Sequence, residues 1–68
     1  MTRQERHRLN CRLLTNAVNS IEDKTGKMFH EAYPDLNDKY EKYCNGEHTS
    51  KYTYITSQLQ NLLDSLNA

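Results

Sequence analysis

Of the five histidines and cysteines, whose side chains bind soft metals, form disulfides or move protons near neutral pH, four stand in related positions: His7, Cys11, Cys44 and His48. Their spacing is symmetric. His7 and Cys11 are four apart, as are Cys44 and His48, and a four-residue step stacks two side chains on one helix face. If the two segments form an antiparallel hairpin about Gly26, residues whose numbers share a sum lie opposite one another. Cys11 with Cys44 and His7 with His48 both sum to 55, so one register gathers all four at the same end.

Three chemistries fit such a cluster. Imidazole and thiolate are the ordinary ligands of tetrahedral zinc, and a bound metal would add folding energy to a small core. The pattern, H-x3-C and C-x3-H separated by 32 residues, matches no common zinc-finger spacing, so geometry alone has to carry the metal reading. A Cys11–Cys44 disulfide is simple at that placement but disfavoured in a reducing compartment. In the third reading Cys11 is a small buried hydrophobe, Cys44 ends a helix, and the histidines cover the bundle end. Packing is the default expectation. No cofactor is expected, with zinc kept as the candidate alternative. A Cys44–His48 nucleophile pair would lack an orienting third group and an oxyanion hole, and there is no phosphate-binding, dinucleotide or EF-hand pattern, so no catalytic residue is expected.

Charge is distributed unevenly. Nine Lys and Arg balance nine Asp and Glu over 68 residues. All four arginines, Arg3, Arg6, Arg8 and Arg12, precede residue 13 with Glu5 as the one acid, while the remainder holds five lysines against eight acids. That dipole can steer the N-terminal segment to phosphate or to an acidic protein face. The arginines wrap the helix instead of forming one stripe, and a neutral chain departs from the basic profile of nucleic-acid binders. The five tyrosines fall between residues 33 and 54. Tyr33, Tyr40, Tyr43 and Tyr52 belong to apolar seams and should be partly buried, whereas Tyr54 falls off its seam and should be exposed beside Lys51 and Gln58.

The elements that position these residues follow from two glycines and three apolar seams. Gly26 and Gly46 are the only glycines, and each follows a periodic segment as a helix C-cap does. Thr2 with Glu5 is a capping-box signature, and Leu9, Leu13, Leu14, Ala17, Val18 and Ile21 recur at helical spacing, predicting a helix over about 2–24. His7 and Cys11 share one line with Leu14, Val18 and Ile21. In the second segment, Phe29, Tyr33, Leu36, Tyr40 and Tyr43 form a seam. Pro34 favours a main helix over about 34–45, after an irregular or short helical stretch, over one longer kinked helix. Tyr52, Ile55, Leu59, Leu62 and Leu66 predict a third helix over about 50–67, capped by Thr49 or Ser50, although KYTYIT also fits a short strand.

The opening MTRQERHRLN resembles the start of the Rop family, plasmid-encoded helical hairpins that dimerise and steady paired RNA loops. The match covers ten residues. It implies RNA contacts from the first helix, with Arg3 and Asn10 at matching positions, while Leu14 stands where that family has an aromatic residue. The glycine near residue 26, the tyrosine-rich second segment and the third seam have no counterpart there.

Composition sets the class. A single domain of 68 residues with 35% hydrophobic residues has little volume for a cofactor cleft, and stability is expected to be small. No run is long and apolar enough for a membrane span, the opening MTRQERHRLN has no apolar h-region, and a faint likeness to a transit peptide is set aside for Glu5 and the unbroken helical pattern. The chain, with its own Met and caps, is expected to be complete and cytoplasmic, with no membrane partner. The fold expected is all-α, an up-down-up three-helix bundle over residues 1–68, with a helical hairpin homodimer as the alternative. The function expected is a non-enzymatic helical interaction module of the phage or plasmid accessory type, which binds and modulates or inhibits a protein partner through Arg6, Arg8, Arg12 and Tyr54. The alternative is a nucleic-acid-binding regulator using Arg3, Arg8, Asn10 and Arg12. Either could act as monomer or homodimer.

Overall fold

The computed structural model describes residues 1–47 and 50–67. Four helices follow in order: α1 (Arg3–Thr25), α2 (Phe29–Ala32), α3 (Pro34–Cys44) and α4 (Tyr52–Asn67). The expected three are α1, α3 and α4, and the fourth is the single turn α2 between Gly26 and Pro34.

The helix ends have local causes. Thr2 Oγ1 accepts the Glu5 N–H at 3.1 Å, one half of the capping box that its sequence predicts, and donates to the Glu5 carboxylate at 3.3 Å. Gly26, at φ 71°, ends α1 by donating its N–H to the Glu22 carbonyl at 2.8 Å. A side chain would oppose that left-handed backbone. Glu22 acts twice here, because its carboxylate also accepts the Phe29 N–H at 2.9 Å and so caps α2 from the preceding helix.

Tyr33 leaves the helical region at φ −136° and ψ 68°, as the residue before a proline tends to. Pro34 then occupies the first turn of α3, where it has no N–H to waste. The main helix therefore starts at Pro34 after a short helical stretch, as expected. At the other end of α3, Gly46 (φ 92°) donates to the Tyr43 carbonyl at 3.1 Å and Glu47 to that of Lys42 at 2.8 Å, a Schellman arrangement. α4 begins at Tyr52, two residues later than expected, and the Lys51 carbonyl accepts its first N–H groups, from Tyr54 and Ile55. Thr49 lies outside the described residues. The strand option for KYTYIT is not realised, since Tyr52 to Thr56 are helical.

Contacts fix the topology. α1 and α3 are antiparallel, with Thr15 Oγ1 and Tyr40 Oη 2.6 Å apart at the register that sums to 55. α4 runs parallel to α1, because Tyr52 and Thr53 lie beside Leu9 and Leu13 while Lys24 bonds Asn67 at the opposite end. The result is up-down-up within one chain, and α4 covers the α1/α3 seam that a hairpin dimer would have left to a second copy. The long axis, 36 Å, is close to the length of α1 at about 1.5 Å per residue.

The core is Leu14, Val18 and Ile21 of α1, Phe29 of α2, Tyr43 of α3, and Ile55 and Leu59 of α4. Phe29 sits edge-on to Tyr40, with ring centroids 6.5 Å apart, and packs on Tyr33 at 5.7 Å. Among the described residues no helix is long and apolar enough to cross a membrane.

Candidate functional site

The first turns of α1, the end of α3 and the start of α4 meet at one end of the bundle. His7 Nε2 lies 3.3 Å from the Cys44 carbonyl and 3.5 Å from Cys11 Sγ. A carbonyl only accepts, so the contact with Cys44 requires the proton on Nε2. Burial first, then the neighbouring Cys11 side chain, by hydrogen bonding and by its charge when ionised, pushes the Cys44 thiol up to about 12. The imidazole also packs on Tyr43, with centroids 5.2 Å apart, and Tyr43 packs on Tyr52 at 6.0 Å.

The expected convergence thus holds for His7, Cys11 and Cys44, while His48 lies outside the described residues. Among those residues, no group of three His, Cys, Asp or Glu side chains is arranged to hold a metal ion. Both cysteines are free thiols, partly buried.

The expected partner contacts fall on different faces. Arg6 lines a groove of about 420 Å³ between α1 and α4, together with Leu9, Asn10, Leu13, Tyr52 and Thr53. Arg8, two residues on and so about 200° round the helix, borders a shallow depression with Arg3, Gln4 and His7. Arg12 is exposed one turn beyond Arg8. Tyr54 is 45% exposed, as expected, but its ring carries Lys39 Nζ of α3 at 5.1 Å from its centroid and stands on the α3/α4 flank. Arg6, the Arg8–Arg12 pair and Tyr54 therefore look out from three flanks.

For the nucleic-acid set, Arg3 and Arg8 share the depression beside His7, Arg12 extends it, and Asn10 donates through Nδ2 to Tyr43 Oη at 3.1 Å. Among the described residues the ion pairs are His30–Glu31 and Lys42–Asp38, and none engages an arginine.

Sequence reasoning missed two residues. Leu9 and Leu13 belong to the α1 apolar pattern, yet they are 37% and 46% exposed. The signal was available: at about 100° per residue both fall well off the line of His7, Cys11, Leu14, Val18 and Ile21. They are four apart, so they form a second, narrower apolar stripe.

No protein-family model matches the chain, and no curated protein and no solved structure is significantly similar to it. The ten-residue likeness at the N-terminus thus has no support from beyond itself.

Proposed function

We propose that this protein is a small non-enzymatic interaction module that seats an acidic, amphipathic segment of a protein partner in the α1/α4 groove, and so modulates or blocks that partner. One observation carries the reading: Leu9 and Leu13 stand exposed beside Arg6, whose charge has no ion-pair partner among the described residues. An apolar stripe four residues apart suits the leucine, isoleucine or phenylalanine face of a helix, and Arg6 suits a flanking carboxylate. Tyr52 adds a rigid aromatic wall with a polar tip. Such a lining favours contact over bond-making. Arg8 and Arg12, on another flank, contribute steering more than direct contact.

The test is selection of helical peptides from a display library on the purified protein. The selected sequences should share apolar residues at i and i+4 flanked by Asp or Glu. Their binding should weaken about tenfold or more for the double variant Leu9→Ser, Leu13→Ser, and about fivefold for Arg6→Ala. Selected peptides that are basic, or indifferent to these changes, would refute the groove.

The second reading is a nucleic-acid-binding regulator acting through Arg3, Arg8, Asn10 and Arg12, favoured by the same absence of ion pairs at the arginines among the described residues. It predicts that affinity for an RNA or DNA duplex falls linearly in log K against log salt. Protein contact dominated by Leu9 and Leu13 predicts a shallow dependence.

A further inference from the structure

The thiol cluster carries an inference that does not depend on what fills the groove. We propose that Cys11 and Cys44 are a two-electron redox pair, a dithiol that a hydroperoxide or a small-molecule disulfide converts into an intramolecular disulfide joining the first half of α1 to the end of α3.

The antiparallel register places the two side chains opposite one another. His7 Nε2 touches both partners, lying 3.5 Å from Cys11 Sγ and 3.3 Å from the Cys44 carbonyl, so sulfur and backbone are held around one imidazole edge. The pair is partly buried, not sealed, so a small oxidant can reach it. Neither thiol is engaged in a disulfide or with a metal shell among the described residues.

The two sulfurs are not equivalent. Cys44, pushed up to about 12, stays a protonated thiol at neutral pH and is the poorer nucleophile. Cys11, whose sulfur lies 3.5 Å from His7 Nε2–H, a donor able to stabilise a thiolate, is the sulfur that reacts first. Its thiolate attacks one oxygen of the hydroperoxide, the O–O bond breaks, and the other oxygen leaves as water or alcohol after taking up a proton, leaving a sulfenic acid on Cys11. Formation of that neutral group removes the Cys11 charge, one of the causes that hold the Cys44 proton. Cys44 sulfur then attacks Cys11 sulfur, the S–O bond breaks, and the departing hydroxide combines with the Cys44 proton as water. Both sulfurs are oxidised by one electron each and the peroxide is reduced by two. With a small-molecule disulfide, Cys11 forms the mixed disulfide and Cys44 displaces the second thiol.

The product closes a long loop through Gly26 and Pro34, the kind of cross-link that constrains the unfolded chain strongly. Its position gives it a local readout too. Cys44 follows Tyr43, which is bonded to Asn10 and packed on Tyr52, so the bond anchors the backbone that carries this contact.

The experiment treats the metal-free wild-type chain with hydrogen peroxide, and separately with oxidised glutathione, and follows it by intact mass and peptide mapping. The expected product is a monomer lighter by two hydrogens, with the Cys11 and Cys44 peptides linked. Its melting temperature should be raised on the order of 10 °C and should return on addition of dithiothreitol. Dimedone should trap a sulfenic acid at Cys11 in Cys44→Ser, and none at Cys44 in Cys11→Ser. The wild-type product is informative even if a variant fails to fold. Oxidation that yields only intermolecular disulfides, or thiols that stay reduced in oxidised glutathione, would overturn the proposal. So would stoichiometric zinc bound by the reduced chain that blocks oxidation, because the cluster would then be a metal site.

Discussion

The two ends of the bundle are built on different terms. At the Gly26 end, polar groups are consumed by folding: Glu22 accepts both the Gly26 and the Phe29 N–H, Thr25 bonds the Ile21 carbonyl, and Lys24 bonds Asn67. Phe29 is buried with the Tyr33 and Tyr40 rings against it. At the Arg3 end, arginines stand without ion pairs among the described residues, Leu9 and Leu13 face outward, and one imidazole touches the Cys11 sulfur and the Cys44 carbonyl. Arginine in a first helical turn even opposes the helix dipole. The lesson is that a small chain can satisfy the polar groups of one end internally while leaving exposed leucines at the other, beside arginines with no ion pair among the described residues.

The sharpest way to break that contrast is to truncate an apolar residue from each end. Phe29→Ala should cost about 3–5 kcal/mol in chemical denaturation, a large part of the roughly 3–10 kcal/mol expected for a chain this size. Leu13→Ala should change stability by no more than ~0.5 kcal/mol. Equal losses would mean that both ends serve the fold alike. A step down in magnitude, Glu22→Ala leaves the Phe29 N–H without its acceptor and should cost about 1–2 kcal/mol.

Gly26→Ala probes the same turn through the backbone. A methyl group there would meet nothing within 4 Å, so the expected loss of about 1 kcal/mol comes from the positive φ alone. Gly46→Ala should behave alike at φ 92°.

Most of the architecture was legible because it rests on local signals. Thr2 and Glu5 cap α1, the glycines end α1 and α3, Pro34 opens α3, and seams of three and four repeat through each helix. Even the cysteine register could be read, since an antiparallel hairpin leaves one free parameter and Cys11 with Cys44 fixes it. What escaped was the part decided by neighbours in space. The α1 apolar pattern covers about half the helix surface; helical phase sets Leu9 and Leu13 off the main seam, but how far α4 covers them is decided in space. The Glu22 cap of α2 spans seven residues and follows from no helical rule. Tyr54 was rightly expected at the surface, but its Lys39 partner comes from α3, which one-dimensional spacing does not show.

The smallest expected effect sharpens the chemistry of the Arg3 end. The Cys44 thiol ordinarily titrates at 9.0 and in the folded chain at about 12. Between those values the unfolded chain has released a proton that the folded one keeps, so stability falls as pH rises from about 9 towards 12. Below that window the contribution is complete. Denaturation across it should show a shallower alkaline fall for Cys44→Ala than for wild type, the difference isolating this thiol. Identical slopes would remove Cys44 from the account.

The most direct test of the central claim measures stability and binding on one variant, Leu9→Ser with Leu13→Ser. The account predicts chemical denaturation within about 1 kcal/mol of wild type, together with at least a tenfold loss of affinity for the selected acidic amphipathic peptides. A variant that loses several kcal/mol of stability while binding unchanged would contradict it, and would return both leucines to the core.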